Sequence, residues 1–380
     1  MTSKQRVRAA LEGRPVDRCP VTSLYNQLYH LDHFAELTGL PAWRRHEWLA
    51  MPPERHVALF RRIHEAAPFE LLQPQGAPAR DWRTRQEFVE KDGRGFRHDT
   101  VTGEWVRMDM AAASGHANDY HANEERHVFT REDIDRRLPM PGPGDAQERE
   151  GLEYIESVVR EFGRDEFIVS GGVIGTIYSC GGQVGLTNIF PMLVEEPELV
   201  EALCERITAC NIVEIRRLAA AGGDAIYVDD ATATSDMISP AMYERFSLPY
   251  MQAMVAEIHR LKHKAILIYF GGVMDRLDLI AATGADGFSY EASMKGFVND
   301  TGEIARLIGD RMTLFSNIDP VAILQNGSDA ALEAEIGRQV EAGRSARGFI
   351  ISTASPITPS TPLARVQRFL ELGRQTGARR

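Results

Sequence analysis

Residues 220–250 read AAGGDAIYVDDATATSDMISPAMYERFSLPY and contain one complete strand–loop–helix unit. Ala225–Asp229 is a short apolar run bounded by turn residues, which is typical of a buried parallel strand. The run ends in two adjacent aspartates, Asp229 and Asp230, and a polar loop follows. Ser239, which precedes a proline, then predicts a helix start, because serine is a favoured N-cap and proline suits the first helical position. The segment therefore predicts a strand whose carboxyl end carries two carboxylates.

The same unit recurs along the chain. The predicted strands are Cys19–Leu24, Phe69–Gln73, Phe167–Gly171, Ala225–Asp229, Ala265–Phe270, Gly287–Tyr290, Met312–Ser316 and Gly348–Ser352. Between them lie patterns with helical apolar spacing, which include Glu198–Ala221, Pro240–Lys262, Met274–Thr283, Thr301–Ile308, Asp329–Gly343 and Pro362–Gly377. Eight strand–helix units without a GxGxxG turn favour a closed (β/α)8 TIM barrel of the α/β class over an open dinucleotide-binding sheet. We expect a single domain over residues 1–380.

A long insertion lies between the second and third predicted strands. Gln86–Met110 predicts short antiparallel strands, with a tight turn at Asp92-Gly93. The polar stretch Ala111–Arg126 follows without an apolar period. An insertion after a barrel strand emerges on the face that carries the active site. We therefore expect residues 76–130, in approximate bounds, to form a lid or rim over the site, with a functionless solvated excursion as the alternative.

Charge and composition exclude several classes of protein. The chain has 43 Lys and Arg against 54 Asp and Glu, a net charge of −11, which disfavours nucleic-acid binding. No apolar run reaches the ~18–20 residues of a membrane span, and the N-terminus has no apolar signal region. Four cysteines without CxxC spacing are typical of a reducing compartment. We expect a cytoplasmic enzyme with a small-molecule substrate and neither a nucleic-acid nor a membrane partner.

The aspartate pair is the strongest candidate for chemistry, because TIM-barrel active sites lie at the carboxyl ends of strands. Successive side chains of a strand point to opposite faces, so at most one of the two carboxylates can face the barrel axis. We favour Asp229, with Asp230 turned toward the loop that carries Thr232 and Asp236. A partly buried carboxylate beside another has a raised pKa and can act as an acid or base. The alternative is that one aspartate only caps the following loop.

Other strand ends supply the remaining candidates. The predicted catalytic residues are Asp229, Asp230, Glu291 and Tyr269, and the predicted substrate-binding residues are Tyr25, Asn26, Gln73, Tyr290, Asn317, Ser352 and Ser355. We expect one common cavity to be faced by Asp229, Tyr269, Tyr290, Asn317 and Ser352. Asp319 is favoured as an N-cap because a proline follows it.

Histidine and cysteine positions predict no metal site. The spacings of five and six between His116, His121 and His127 match no helical metal site. Cys180 follows a glycine-rich segment with no histidine nearby in sequence, which favours a small buried thiol over a nucleophile.

Four segments resemble the uroporphyrinogen decarboxylase superfamily. They are RVRAALEGRPVDRCPV (6–21), AAGGDAIYVDDATATSDMISPAMYERFSLPY (220–250), FSNIDPVAIL (315–324) and ISTASPITPSTPLARV (351–366). The resemblance covers nearly the whole chain in the family's order, and it is greatest to the methyltransferase-like branch that serves corrinoid and thiol methyl transfer. It implies a (β/α)8 barrel with a deep pocket at the carboxyl ends of the strands.

The chain departs from that family at two places. The zinc-dependent methyltransferases have His-x-Cys at the end of the fifth strand and a further Cys after the eighth, where Ile268, Phe270 and Ser355 stand here. These side chains cannot replace imidazole and thiolate, so we expect no zinc and no other cofactor. The decarboxylases also have an arginine-rich RQAGRY-type loop near the N-terminus, where this chain has SLYNQLYH. A polyanionic tetrapyrrole is therefore a poor substrate for this acidic chain.

Three functions remain open at this point. The first is metal-independent, decarboxylase-type lyase chemistry on a small organic substrate, in which strand-end carboxylates hold a proton or stabilise a cation. The second is a corrinoid-linked methyltransferase or demethylase without the usual zinc, which would have a corrinoid protein as its partner. The third is a non-catalytic small-molecule binder. A homodimer is compatible with all three, and the sequence does not identify the substrate.

Overall fold

The structure is a computed structural model, and it describes residues 1–108, 129–142, 144–294 and 296–378. Its strands are, in chain order, β1 (Leu71–Leu72), β2 (Gln86–Lys91), β3 (Arg94–Asp99), β4 (Trp105–Arg107), β5 (Phe167–Ile174), β6 (Ala225–Asp229), β7 (Lys264–Tyr269), β8 (Gly287–Tyr290), β9 (Thr313–Phe315) and β10 (Phe349–Ile350). Strands β1 and β5 to β10 form one parallel sheet in that order, and β2 to β4 form a separate antiparallel sheet.

The N-terminal segment closes the parallel sheet into a barrel. Val21 forms a parallel bridge with Ile351, next to β10. The Thr22 amide donates to the Ile351 carbonyl at 2.9 Å, and the Glu70 amide donates to the Val21 carbonyl at 3.1 Å. The segment thus lies between β10 and β1, in the place of the first strand predicted at Cys19–Leu24. The (β/α)8 TIM-barrel prediction is confirmed, with this strand reduced to a bridge.

Helices surround the barrel. They are α1 (Ser3–Leu11), α2 (Asn26–Asp32), α3 (Phe34–Thr38), α4 (Arg44–Trp48), α5 (Pro53–Ala66), α6 (Arg80–Thr84), α7 (Arg131–Arg137), α8 (Glu153–Phe162), α9 (Thr176–Val184), α10 (Leu186–Glu195), α11 (Pro197–Ala220), α12 (Pro240–Phe246), α13 (Leu248–Arg260), α14 (Leu277–Ala281), α15 (Thr301–Ile308), α16 (Asp329–Ala342) and α17 (Leu363–Gly377). A π-helix lies at Pro320–Gln325, and 3-10 helices lie at Asp145–Gln147 and Gly343–Ser345. Within the described residues, none of these helices has the length and apolar character to cross a membrane.

One predicted helix is divided in two. The pattern Pro240–Lys262 forms α12 and α13, with Ser247 between them at φ −121° and ψ −58°. Pro249 lies in the first turn of α13, where its missing N–H costs no hydrogen bond, whereas a continuous helix would need that donor. The break gives Ser247 a position from which its side chain reaches Asp230, directly after β6.

The insertion after β1 begins as predicted. β2 and β3 pair antiparallel from Gln86 opposite Asp99 to Lys91 opposite Arg94. Asp92 has φ +50° in the connecting turn, a conformation that two-residue hairpin turns require and that aspartate tolerates. Residues 109–128, which contain the polar part of the expected lid together with His116, His121 and His127, lie outside the described residues. The lid therefore stays a prediction.

The alternation of side chains in the strands separates two apolar clusters. The cluster inside the barrel includes Leu71, Phe167, Val169, Ala225, Ile266, Ile268, Phe315 and Ile350. Tyr25, Tyr227 and Phe270 pack against it. The larger cluster, between strands and helices, includes Tyr269, Phe288 and Tyr290. Because neighbouring positions face opposite ways, residues 268 and 270 point inward on β7 and residue 269 points outward.

Candidate active site

Asp229 carries the principal acidic group inside the barrel. Its side chain lies on the same face of β6 as Ala225 and Tyr227, which pack in the barrel interior. The Tyr25 hydroxyl donates to Oδ2 of Asp229. Oδ1 is buried and has no hydrogen-bond partner among the described residues. Burial raises the pKa of Asp229 to about 6, although the Tyr25 hydrogen bond acts in the opposite direction. The carboxyl group thus has one oxygen held by Tyr25 and one that is buried without a partner among the described residues.

Tyr25 reaches Asp229 from an unusual backbone conformation. It precedes α2 and has φ +57°, in the left-handed region, which costs a non-glycine residue roughly 1–2 kcal/mol. Its ring packs edge-on against Tyr227 at a centroid distance of 5.3 Å and lies 5.9 Å from the ring of Phe270. Such strain persists where the surroundings over-determine it, as at functional sites. Two neighbouring rings and one carboxylate therefore hold the phenol in place.

Asp230 points to the other side of β6. Its side chain is fully buried, and Oδ2 accepts a hydrogen bond from the Ser247 hydroxyl. The Tyr269 hydroxyl lies 3.5 Å from the same oxygen. Burial raises the pKa of Asp230 to about 7, while the Ser247 hydrogen bond lowers it. The expectation that Asp230 turns toward the loop with Thr232 and Asp236 is wrong, because the helix break at Ser247 provides a closer partner.

The common cavity expected for five residues does not form. The Tyr269 and Tyr243 hydroxyls are 2.7 Å apart, and the Tyr290 hydroxyl donates to Thr301 Oγ1 at 3.1 Å. Both tyrosines thus lie between the sheet and the outer helices rather than inside the barrel. The reason is strand alternation, which directs positions 269 and 290 away from the axis.

The side chain of Asn317 also forms its hydrogen bonds within the protein. Its Oδ1 accepts from Thr301 at 2.9 Å and from Gln339 at 2.7 Å. Its Nδ2 donates to the carbonyls of Glu291 and Asn299. Asn317 was expected to contact substrate. Its side chain instead links the loop after β9 to the loop after β8 through these hydrogen bonds.

The side chains of Ser352 and Asn26 also form hydrogen bonds within the protein. Ser352 is fully buried and its hydroxyl donates to the Thr353 carbonyl at 3.0 Å. Asn26 donates through Nδ2 to the carbonyls of Ser23 and Leu71, and its Oδ1 accepts from the backbone amide of Gln73. Both side chains therefore hold strand ends. Asp319 is an N-cap as predicted, because its Oδ1 accepts from the two amides of residues 321 and 322 at 2.8 Å.

Glu291 and Ser355 meet at the mouth of the barrel. The Ser355 hydroxyl donates to Oε1 of Glu291, whose side chain is buried. Ser355 is one of the three positions where the resemblance implies a zinc ligand. The other two hold Ile268, which is inside the barrel, and Phe270, which packs on Tyr25. None of the three offers an imidazole or thiolate, so the residues present do not fit that zinc site. Among the described residues no group of three His, Cys, Asp or Glu is placed to hold a metal.

Gln73 lines a cavity that includes Tyr227, the residue whose ring packs on Tyr25. The cavity has a volume of about 470 Å³ and is lined by residues that include Gln27, Gln73, Gln75 and Tyr227. Tyr227 was not predicted from the sequence, although it lies two positions before Asp229 and strand alternation places both on one face. Ser247 was also missed, and the proline two positions later was its signal.

Removing the Tyr25 hydroxyl should raise the pKa of Asp229. In Tyr25→Phe the carboxylate loses a hydrogen bond that favours its charged form, and we expect an upward shift of about one to two pH units. The carbon chemical shift of the Asp229 carboxyl, followed by NMR against pH, measures it. Tyr29→Phe is the matched control, because Tyr29 lies on α2, the helix that Tyr25 precedes, and its buried hydroxyl has no partner among the described residues. An unchanged titration in Tyr25→Phe would contradict the assigned contact.

Comparison with known proteins connects this geometry to a family. The sequence model of the uroporphyrinogen decarboxylase (URO-D) family matches residues 108–376. The uroporphyrinogen decarboxylase of Coxiella burnetii is 29% identical over 186 residues, which span 47% of this chain and 48% of that protein, about half its length. The methylcobamide:CoM methyltransferase MtaA of Methanosarcina barkeri is 24% identical, with 96% of each chain covered. A solved methyltransferase structure from Methanosarcina mazei has a TM-score of 0.70 at 21% identity, covers 99% of both chains and therefore shows the same fold.

Proposed function

Since this chain belongs to the uroporphyrinogen decarboxylase family, we propose that it is a metal-independent enzyme that decarboxylates a small organic acid at Asp229. The single observation that carries this proposal is the Asp229 carboxyl group. One of its oxygens is held by Tyr25, and the other is buried without a partner among the described residues. A buried carboxyl group with a raised pKa near neutrality is typical of acid–base sites.

Asp229 would act as the proton donor. The bond between the substrate carbon and its carboxylate breaks, carbon dioxide leaves, and the electron pair stays on the carbon. The proton of Asp229 then forms the new C–H bond, and solvent returns a proton to the aspartate. The pKa of about 6 leaves a protonated fraction near neutral pH. Tyr25 positions the carboxyl group, so that Oδ1 is directed to the reacting carbon.

The activity test separates this function from its alternatives. Purified protein, treated with a chelator, is incubated with a panel of aromatic and heteroaromatic carboxylic acids, and released carbon dioxide is measured. A second arm contains methylcobalamin and a thiol and follows loss of the methyl–cobalt absorbance. Carbon dioxide release supports the proposal. Methyl transfer alone would favour the corrinoid-linked function, and saturable binding without turnover would favour the non-catalytic binder.

Zinc should be absent from the working enzyme. Because Ile268, Phe270 and Ser355 supply no imidazole or thiolate, protein purified without chelator should contain well under one zinc atom per chain. Elemental analysis by mass spectrometry measures the content. Stoichiometric zinc, together with activity that a chelator abolishes, would contradict the proposed metal-independent chemistry.

One observation favours corrinoid-linked methyl transfer as the second candidate. Exposed apolar side chains lie at the end of one barrel strand or in the loops that follow three others, and these are Ile174, Met237, Met294, Val298 and Val321. Scattered apolar residues are common on protein surfaces, but a concentration around one opening is typical of an interaction site. A relative is named a methylcobamide:CoM methyltransferase. A protein that carries a corrinoid is therefore the partner this rim would take, and the methylcobalamin arm tests the chemistry.

A further inference from the structure

Two buried thiols are in contact between α9 and α11, in the apolar cluster that lies between strands and helices. Cys180 is on α9, Cys204 is on α11, and both side chains are 0% exposed. Their Sγ atoms are 3.6 Å apart. Cys204 donates its S–H to the Phe246 carbonyl at 3.7 Å, so Cys180 is the donor within the pair. The burial predicted for Cys180 is confirmed, and the structure adds a second thiol next to its sulfur.

A disulfide between these two positions requires only a small movement. The sulfur atoms would approach each other from 3.6 Å to about 2.05 Å, the length of an S–S bond. This approach of roughly 1.5 Å is within reach of side-chain rotation combined with a slight shift of one helix. The two thiols are therefore placed to react with each other once an oxidant reaches one of them.

Helix α9 has few of the features that stabilise a helix. It is nine residues long, glycines occupy both of its cap positions, and no side chain caps its first turn. Gly181 and Gly182 directly follow Cys180, and a glycine inside a helix is less favourable than an alanine. A segment of this kind opens locally more readily than the core around it. Opening of α9 would expose Cys180, whereas Cys204 stays in the 24-residue helix α11.

The closed state protects the thiol of Cys180. Burial raises the pKa of this thiol well above its ordinary value. The thiolate is the nucleophile in disulfide exchange, so Cys180 is unreactive while α9 packs on α11. Its reactivity therefore depends on the opening of α9.

We propose that Cys180 and Cys204 form a reversible disulfide when α9 opens to a low-molecular-weight disulfide. The Cys180 thiolate attacks one sulfur of that molecule, which forms a mixed disulfide and releases the first small thiol. When α9 closes, the Cys204 thiolate attacks the Cys180 sulfur and releases the second small thiol. Both cysteines are oxidised, the small disulfide is reduced, and the two released thiols carry the protons that the cysteines lost.

The new bond would fix a helix that adjoins the candidate active site. α9 begins directly after Gly175, whose amide donates to the backbone carbonyl of Asp229. Cys204 and the Thr176 hydroxyl both donate to the Phe246 carbonyl, and oxidation removes the first of these donors. The thiol pair is thus connected to the backbone of Asp229 through α9. Formation of the bond does not depend on the proposed function.

Oxidised glutathione is the probe, and it is added to the full native chain. After alkylation of the free thiols and proteolysis, mass spectrometry should find Cys180 joined to Cys204, and dithiothreitol should restore both thiols. Cys210→Ser is the matched control, because Cys210 is also on α11 but is only partly buried. This variant should form the bond at the wild-type rate. Cys204→Ser should form no internal disulfide at Cys180.

Gly182→Ala tests the opening of α9. Gly182 is exposed, and a Cβ atom there would meet nothing within 4 Å, so alanine fits and stabilises the helix. We expect the disulfide to form about fourfold more slowly in this variant. Gly337→Ala is the matched control, because Gly337 lies inside α16 and has equally open space around it. Its rate should equal that of the wild type.

Absence of the Cys180–Cys204 bond in oxidised native protein would overturn the proposal. A bond that forms only after denaturation would overturn it as well, and so would equal pairing of Cys180 with Cys210. Equal rates in Gly182→Ala and Gly337→Ala would overturn the assigned opening of α9. These measurements use no substrate, so they are decided separately from the proposed decarboxylation.

Discussion

Asp229→Asn is expected to lower kcat by about 10²–10⁴-fold, because it removes a positioned proton donor. This loss corresponds to roughly 3–5 kcal/mol of transition-state stabilisation. Asparagine is nearly isosteric and can still accept the Tyr25 hydrogen bond, so the melting temperature should stay within a few degrees. The measurement is carbon dioxide release on an acid that the wild-type protein decarboxylates, together with thermal unfolding.

Asp236→Asn is the matched control for that experiment. Asp236 is exposed in the loop after β6, and its Oδ1 accepts from the Gly272 amide, which an asparagine oxygen can also do. We expect its kcat to stay near that of the wild type. Full turnover in Asp229→Asn would show that the carboxyl group has no part in catalysis. Unfolding of Asp229→Asn would show instead that the carboxylate is a structural cap.

Asp230→Asn is expected to stabilise the protein increasingly as the pH rises. The pKa of Asp230 is raised by burial to about 7 from an ordinary value of 3.8, so the folded state binds the proton more tightly than the unfolded state. Stability present below the unfolded pKa is therefore lost as the pH rises through the folded pKa. An asparagine at position 230 has no carboxyl group to ionise, so the variant does not lose this stability as the pH rises. The difference in unfolding free energy between variant and wild type should grow by about 2–3 kcal/mol between about pH 5 and about pH 8.

Chemical denaturation at these two pH values measures the effect. Asp236→Asn again serves as the control and should show no comparable growth, because its carboxyl group is exposed. Asp230→Asn should also keep kcat close to the wild-type value, since its side chain faces Ser247 rather than the barrel interior. A stability difference that does not depend on pH would contradict the raised pKa. A kcat loss equal to that of Asp229→Asn would contradict the assignment of the two carboxylates to opposite faces.

Local sequence was sufficient to predict the bounds of strands and turns that are set by neighbouring residues. Ala225–Asp229 and Gly287–Tyr290 have the predicted bounds, because each is an apolar run that begins directly after a helix-ending turn. The hairpin at Asp92 was predicted for the same reason, since an Asp-Gly turn encodes its own backbone conformation. The continuous helix Pro240–Lys262 was wrong, because apolar periodicity does not detect the break at Ser247.

The candidate site could be predicted in position but only partly in composition. Strand alternation separated the two aspartates, and the preference for Asp229 as the inward one agrees with the structure. The same rule, applied to β7 and β8, would have placed Tyr269 and Tyr290 outward, where their hydroxyls meet Tyr243 and Thr301. Glu291 and Ser355 lie together at the mouth although 64 positions separate them in the chain.

The sequence by itself determined the barrel, its family and the strand end that carries the aspartates, because strand periodicity, caps and motifs are written in neighbouring residues. Only the tertiary structure decided what each carboxyl group meets. Tyr25 and Asp229 are 204 positions apart in the chain, and Asp230 contacts Ser247, the residue at which the helical pattern is interrupted. Their pKa values follow from burial and from these partners. Burial and the Tyr25 contact depend on segments that are far apart in the chain, and no local pattern encodes such contacts.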